Sequence, residues 1–305
     1  MSLEIVKVKT AKHNIYQRPL MEEHIIPHHP SITIIAGSAG SGKSTLVNNM
    51  LSNPVMYKGY FDCIFLLIGS DDDMYDDLIE KGTINKQHVI KCPESADIQK
   101  IIDMQKKAIE NSKDISKSPK ILVIMDDLAN NQKLLRSKPF LQLFVAGRHL
   151  NSSTFFLSQY LNLVPRACRL QANYLICFKM NMVELNVLTE QYCPATMNKK
   201  EFHKIVFDTV KDTKNKDGSK KINFMMITKG GDDNKRFRRN LDEYIVLDGQ
   251  EQPELNINCQ IDEDAEEALK KELLKAPNIQ SSTNSEVNII LPTLKKGRKA
   301  FIMDR

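Results

Sequence analysis

Nine consecutive residues, Gly37-Ser-Ala-Gly-Ser-Gly42-Lys43-Ser44-Thr45, constrain this chain more than any other feature. They satisfy G-x-x-x-x-G-K-[ST], a string that background frequencies produce in roughly one chain of this length per hundred. Context sharpens the signal. Upstream, Ser31-Ile-Thr-Ile-Ile-Ala36 reads as a buried strand. Downstream, Thr45-Leu-Val-Asn-Asn-Met-Leu51 reads as a helix with Leu46, Val47 and Met50 on one face. Small residues let successive N–H groups curl around a phosphate, and a helix N-terminus adds partial positive charge. Gly37, Ser38, Ala39, Gly40, Ser41, Gly42, Lys43, Ser44 and Thr45 are therefore expected to cradle nucleotide phosphates. Lys43 is placed to reach the β- and γ-phosphates and Ser44 to ligate Mg²⁺.

A second motif fits the first. Ile121-Leu-Val-Ile-Met125 is an apolar strand that ends in Asp126-Asp127. An acid at the C-terminal tip of such a strand is the Walker B arrangement, with Asp126 in the Mg²⁺ shell. Asp127 then stands where a second carboxylate polarises an attacking water. Further on, Thr154-Phe-Phe-Leu-Ser158 runs into Gln159, a strand-end polar residue placed to sense a γ-phosphate or position that water.

From Ser31 to about Val246, short apolar runs alternate with helix-period segments. Strands are expected at Ile32–Ala36, Cys63–Ile68, His88–Lys91, Ile121–Met125, Thr154–Ser158 and Tyr174–Phe178. Helices are expected around Lys43–Leu51, Ser95–Ile109, Phe140–Ala146 and Val183–Gln191. Runs apolar on both faces suit central strands covered by helices, so the fold class is α/β, a RecA-like P-loop core with a mainly parallel sheet. Ile222–Thr228 and Arg236–Leu247 flank Lys229-Gly230-Gly231-Asp232 and suggest a C-terminal β-hairpin. Three parts follow: an N-terminal segment, 1–30, the ATPase domain, 31–248, and a C-terminal extension, 249–305. In the outer parts, Leu3–Lys9 partly alternates like an edge strand and Asp262–Ala276 has an amphipathic helix pattern. Ser281–Ser285 is linker-like and Lys295–Lys299 makes a basic end.

Bulk properties exclude other classes. No apolar run approaches the ~18 residues that span a bilayer, so no membrane partner is expected. Met1–Thr10 lacks the apolar stretch of a signal peptide. Six cysteines without C-x-x-C spacing fit reduced thiols rather than a zinc or disulfide framework. His24, His28 and His29 cluster without obvious partner ligands for a metal. Asn85-Lys-Gln-His88 and Asn215-Lys-Asp-Gly218 both miss the final Asp of an N-K-x-D guanine reader, and L-S-G-G-Q is absent. ATP with Mg²⁺ is the expected ligand.

The series Gly-Ser-Ala-Gly-Ser-Gly-Lys-Ser-Thr (37–45), Ile-Met-Asp-Asp-Leu (124–128), Gly-Arg-His-Leu-Asn (147–151), Leu-Ser-Gln-Tyr (157–160) and Arg-Leu-Gln-Ala-Asn (169–173) is more specific. In this order and spacing it resembles the genome-packaging ATPases of large DNA viruses and virophages, the poxvirus-type branch of the FtsK–HerA superfamily. The resemblance is good from Pro27 to Phe178 and weak beyond. It implies a homo-oligomeric ring that drives double-stranded DNA into a preformed capsid, with capsid proteins as further partners and the host-cell cytoplasm as location. It also implies an arginine finger from a neighbouring subunit, with Arg148 first, Arg169 second and Arg166 third. Most of the wider superfamily places Glu after the first Walker B acid, whereas Asp127 is shorter by one methylene.

Charge distribution suggests where DNA would touch. Met197–Arg239 holds 13 Lys/Arg against 6 Asp/Glu, while Gln250–Arg305 holds 8 against 10. A basic block is a footprint for a polyanion. Lys235, Arg236, Arg238 and Arg239, on the second strand of the expected hairpin, are the proposed contacts if that hairpin projects into a pore. Two other readings stay open: a replicative helicase or DNA-transfer pump of the same fold, and a nucleotide-switched assembly protein with little turnover.

Overall fold

Strand and helix alternate as the apolar pattern requires. The strands are β1 (Ile32–Ala36), β2 (Cys63–Ile68), β3 (Val89–Lys91), β4 (Ile121–Asp126), β5 (Ser152–Ser158) and β6 (Tyr174–Cys177), then β7 (Thr213–Lys214), β8 (Lys220–Lys221), β9 (Met225–Thr228), β10 (Phe237–Arg239), β11 (Glu243–Val246) and β12 (Phe301–Ile302). The helices are α1 (Pro19–Glu22), α2 (Lys43–Ser52), α3 (Asp76–Glu80), α4 (Ser95–Ser112), α5 (Gln132–Leu135), α6 (Lys138–Ala146), α7 (Arg166–Gln171), α8 (Met182–Tyr192) and α9 (Lys199–Thr209). The computed structural model describes residues 19–22, 24–70, 73–195, 197–215, 217–230, 235–241, 243–246 and 301–302. The expected strand at Leu3–Lys9, the Gly231-Asp232 turn, the Asp262–Ala276 helix and the Lys295–Lys299 end lie outside the described residues.

Ten strands make one sheet in the order β12-β11-β10-β9-β6-β1-β5-β4-β2-β3. From β6 to β3 every pairing is parallel. From β6 through β9 and β10 to β11 the pairings are antiparallel. This is a RecA-like α/β architecture with antiparallel strands appended at one edge. Strand β5 separates β1 from β4, so the phosphate loop and the Asp126-Asp127 tip stand two strands apart.

Alternation along the strands divides the core. Ile34, Val123, Phe156 and Leu175 face a layer built by Ile98 and Ile102 of α4, Phe140 and Phe144 of α6, Leu188 of α8 and Phe202 of α9. Their neighbours Ile35, Ile124, Phe155 and Ile176 face the opposite layer, with Val47 and Met50 of α2, Leu78 of α3 and the ring of Tyr57. A period of two therefore buries both faces of the central strands.

Boundaries differ from the sequence expectation where capping intervenes. Helix α6 begins at Lys138 rather than Phe140 because the Ser137 hydroxyl accepts the Phe140 N–H, with Pro139 fitting the first turn. Strand β3 begins at Val89, because His88 closes a short 3₁₀ turn capped by Asn85. The expected C-terminal hairpin is present: strands β9 and β10 pair antiparallel, and β9 is stitched to β6 along Tyr174–Cys177, so both described strands are part of the main sheet.

Candidate functional site

The C-terminal ends of β1, β4, β5 and β6 meet at one rim, the crevice where open α/β sheets bind ligands. The loop leaving β1 is tied on both sides: Gly37 N–H donates to Ser158 O (3.2 Å) and Ser38 N–H to Lys179 O (3.3 Å). A Cβ on Gly37 would lie 2.6 Å from the Phe178 Cβ and 2.8 Å from the Ser41 Oγ, so only glycine lets the loop close here. Gly42, at φ 96°, turns the chain into α2 without any side-chain cap. The first N–H groups of that helix have no intrahelical acceptor and point into the loop. Ser38, Ala39 and Gly40 are exposed at its tip, Thr45 sits in the first turn of α2, and the Ser41 hydroxyl is buried without a hydrogen-bond partner.

Lys43 is buried and its ammonium donates to Gly37 O (2.8 Å) and Ser38 O (3.0 Å). Burial lowers its pKa, opposed by the carboxylates of Asp126 and Asp127. Ser44 Oγ donates to Asp126 Oδ2 at 2.7 Å. The same carboxylate oxygen accepts Tyr75 OH at 2.8 Å, from the turn that precedes α3. Burial raises the Asp126 pKa, while the Ser44 and Tyr75 hydrogen bonds and Lys43 lower it.

Asp127 has φ 55°, a left-handed conformation. Asp and Asn tolerate that region better than Glu, because a short polar side chain can bond locally. This is a physical reason for Asp rather than Glu at this position. Its Oδ1 accepts Gln159 Nε2 at 3.3 Å, which brings the end of β5 to the end of β4.

These residues fit Mg·ATP. Ser44 and Asp126 offer adjacent hard oxygen donors of the kind Mg²⁺ takes while keeping several waters. The glycine-lined loop, the helix N-terminus and Lys43 supply the anion cradle.

The three arginines proposed for a finger divide sharply. Arg169 is buried, with NH1 donating to Leu161 O, Asn162 O and Val164 O and Nε to Gln191 Oε1. Those bonds hold the β5–α7 connection together. Arg148 is exposed, but it lies before β5, at the rim opposite the phosphate loop and close enough to lower the His28 pKa. Arg166 is exposed at the start of α7, on the segment that follows Gln159.

The basic residues of the hairpin also make contacts within the protein. Arg238 is buried; its NH1 donates to His24 O and its NH2 to Tyr244 OH, and it stacks over that ring. Arg236 donates to Tyr192 O at 3.1 Å and lies over Phe237. Arg239 Nε is 4.0 Å from Glu243, and Lys235 is half-buried. Sheet formation engages these guanidinium groups with the protein itself. The histidines are likewise engaged: His24 and His28 meet Tyr174 OH, and His29 bridges Ser153 and Asn151.

Sequence reasoning missed Tyr75 and Gly69. No motif marks Tyr75, whose hydroxyl reaches the site only through the fold. Gly69 follows β2, and a Cβ there would lie 2.1 Å from Asp127 O.

Uncharacterized protein 075L of Invertebrate iridescent virus 6 is 26% identical over 148 residues, covering 48% of this chain and 53% of that protein. Uncharacterized protein 015R of Frog virus 3 is 26% identical over 177 residues, covering 58% and 52%. The chain thus spans about half the length of the curated relatives it matches. Among solved structures, the genome packaging NTPase B204 of Sulfolobus turreted icosahedral virus 2 in complex with ATP-gammaS gives a TM-score of 0.43 at 17% identity, covering 65% of this chain and 92% of that one. EssC (ATPases 2 and 3) from Geobacillus thermodenitrificans gives 0.37 at 15% identity, covering 48% and 32%. No helix among the described residues is long and apolar enough to cross a membrane. A family model described as "Poxvirus A32 protein" matches residues 22–249, and the chain belongs to that family.

Proposed function

We propose that this protein hydrolyses Mg·ATP and couples the hydrolysis to movement along double-stranded DNA, as a ring of identical subunits that packages viral genomes into capsids. The observation that carries the nucleotide reading is the Ser44–Asp126 contact at 2.7 Å, made beside Lys43 and within reach of the Asp127–Gln159 pair. The DNA and capsid parts rest on the motif series shared with viral packaging ATPases.

Bound Mg²⁺ would supply charge neutralisation on the phosphate oxygens. Ser44 and Asp126 would hold it, and Tyr75 keeps the Asp126 carboxylate turned toward Ser44. Lys43 would leave the Gly37 and Ser38 carbonyls for phosphate oxygens that carry a full charge. Asp127 is the base that takes a proton from the attacking water, and Gln159 fixes the orientation of that carboxylate and of the water. A finger from a neighbouring copy is worth on the order of 10³-fold or more in rate. Arg148 is retained for it, which requires the neighbour to present the opposite rim of its sheet; Arg166 stands nearer the site's own edge.

The test is ATP hydrolysis by purified protein with and without duplex DNA, alongside Lys43→Ala, Asp127→Asn and Arg148→Ala. Stimulation by duplex that disappears in the Lys43 and Asp127 variants is the expected result. Activity restored by mixing Arg148→Ala with Lys43→Ala subunits would place the finger in trans. Tight ATP binding with no turnover at any DNA or protein concentration would overturn the motor reading in favour of a nucleotide-switched assembly protein.

A further inference from the structure

Two elements of the basic block lie outside the hairpin: α9, which exposes Lys199, Lys200 and Lys204, and a ribbon that follows it. Strands β7 and β8 form a separate two-stranded antiparallel ribbon, outside the main sheet, in the register Thr213↔Lys221 and Lys214↔Lys220. Its lysines behave unlike the arginines of β10. Lys211, Lys214 and Lys220 are exposed and Lys221 is half-buried. Asp212 pairs with Lys220 at 3.0 Å, and Asp217 is engaged by the N–H and hydroxyl of Ser219 in the turn. Lys211, Lys214 and Lys221 have no acidic partner among the described residues. Lys214 stands directly opposite Lys220, whose charge Asp212 already meets, so Lys214 is the unmatched cation of that cross-strand pair.

A solubilising patch needs no foundation, but this ribbon has one. Asn223 is fully buried at its root; its Nδ2 donates to Lys211 O (2.8 Å) and Thr213 Oγ1 (3.1 Å), and its Oδ1 accepts Asn240 Nδ2 (3.1 Å). The tip is closed by Asn215 Nδ2 donating to Ser219 Oγ and by Gly218 at φ 84°. The root also touches the nucleotide site. The Ile222 Cδ1 stands 4.0 Å, and the Phe178 ring 3.6 Å, from where a Cβ on Gly42 would be. Phe224 packs on Phe178 with ring centroids 5.2 Å apart, and Phe178 is the side chain against Gly37.

We infer that the β7–β8 ribbon is the contact for the duplex-DNA phosphate backbone, through Lys211, Lys214 and Lys221, and that Ile222 couples it to the phosphate loop. The inference rests on the proposed DNA motor and names its DNA-contacting element. Lysines on a rigid ribbon make sequence-blind, salt-sensitive phosphate contacts. A shift of the loop at Gly42 would move Ile222, and Ile222 is adjacent in the chain to Lys221.

The experiment measures binding of a short fluorescent duplex by anisotropy across a salt series. It uses the full chain, with thermal midpoints as the folding check. Lys211→Gln/Lys214→Gln/Lys221→Gln should weaken binding about tenfold or more and flatten the log–log salt slope by about 2 to 3. Lys106→Gln/Lys107→Gln/Lys117→Gln, exposed lysines on and after α4, should change neither. Equal affinity in wild type and ribbon variant, equal loss in both variants, or no duplex binding by wild type overturns the assignment. Ile222→Ala should keep duplex affinity and lose most of the DNA stimulation of hydrolysis; full stimulation overturns the coupling. Duplex binding through these lysines without any ATP turnover would leave the ribbon standing and remove the motor. DNA-stimulated turnover with normal binding by the ribbon variant would do the reverse.

Discussion

The backbone of Gly69 lies directly against that of Asp127: a methyl group on Gly69 would sit 2.1 Å from the Asp127 carbonyl oxygen and 2.9 Å from its carbonyl carbon. Gly69 N–H also donates to Asp126 O at 3.0 Å, so the end of β2 fixes the turn that presents both acids. Gly69→Ala must therefore push the Asp126-Asp127 turn away from β2. Overpacking of this kind costs about 1–3 kcal/mol. A lowered thermal midpoint together with weakened Mg²⁺-dependent nucleotide binding is expected; wild-type values for both would show that the contact does not position the acids.

The left-handed φ of Asp127 separates two substitutions that differ little in size. Asp127→Asn keeps a residue suited to that backbone and removes only the charge, so hydrolysis should fall by two orders of magnitude or more (about 10²–10⁴ for a general base) at unchanged stability. Asp127→Glu keeps the charge, but should lose roughly 1 kcal/mol of stability and its contact with Gln159. Thermal melts beside single-turnover rates distinguish the two.

Tyr75 is expected to act through Asp126. Burial raises the Asp126 pKa and the Tyr75 hydrogen bond lowers it, so Tyr75→Phe raises it further. A carboxyl with a raised folded pKa binds more protons folded than unfolded. Its contribution to stability is fullest below the unfolded value and falls as pH rises through the folded one. The variant shifts that loss to higher pH. Protons then compete better with Mg²⁺, and the Mg²⁺ concentration for half-maximal nucleotide binding should rise more at acid pH than at neutral pH. An unchanged Mg²⁺ requirement at both would reduce Tyr75 to a packing residue.

Acid should destabilise the fold through His28 and His29. Burial, with like charge from His24 and Arg148, lowers the His28 pKa to about 4; burial lowers His29 to about 4 against an opposing hydrogen bond from Asn151. Depressed histidines favour folding above the unfolded value of 6.5 and withdraw that support as pH falls toward 4. Each contributes up to about 1.4 kcal/mol per pH unit across that window. The thermal midpoint should drop over it, and His28→Gln/His29→Gln should flatten the profile.

Arginine substitutions should sort by location. Arg169→Ala leaves two buried carbonyls, Leu161 O and Val164 O, and the part-buried Asn162 O without their donor and should lower the thermal midpoint sharply, by several kcal/mol in stability. Arg148→Ala and Arg166→Ala remove exposed groups, so their melts should stay within about 0.5 kcal/mol of wild type. Any loss of turnover in those two, measured at matched protein concentration, then reports on catalysis and not on folding.

Much of the sheet was legible because its signals are local. The strand before Gly37, the helix after it and the strand ending at Asp126 each announce themselves by apolar period over a few residues. The glycines of the loop are set by backbone conformation. What period cannot encode is the partner. Arg169 and Arg148 look alike in sequence, but α7 turns one onto carbonyls while the end of α6 leaves the other exposed. Arg238 alternates as a strand residue should, yet β9 docks on β6 and carries it inside.

By itself the sequence determined the phosphate loop, the Asp126-Asp127 tip, the order of strands along the chain and the α/β class. It could do so because loop conformation and burial period are properties of neighbouring residues. Only the tertiary structure decided that β5 stands between the loop strand and the acid strand, that Tyr75 reaches Asp126 and that Gly69 braces Asp127. It also decided that Lys211 and Lys214 stand exposed beside and on the β7–β8 ribbon, whereas Arg238 of the hairpin is buried. Each of these depends on pairing between segments far apart in the chain, where contact is chosen by the packing of whole layers and no local pattern specifies it.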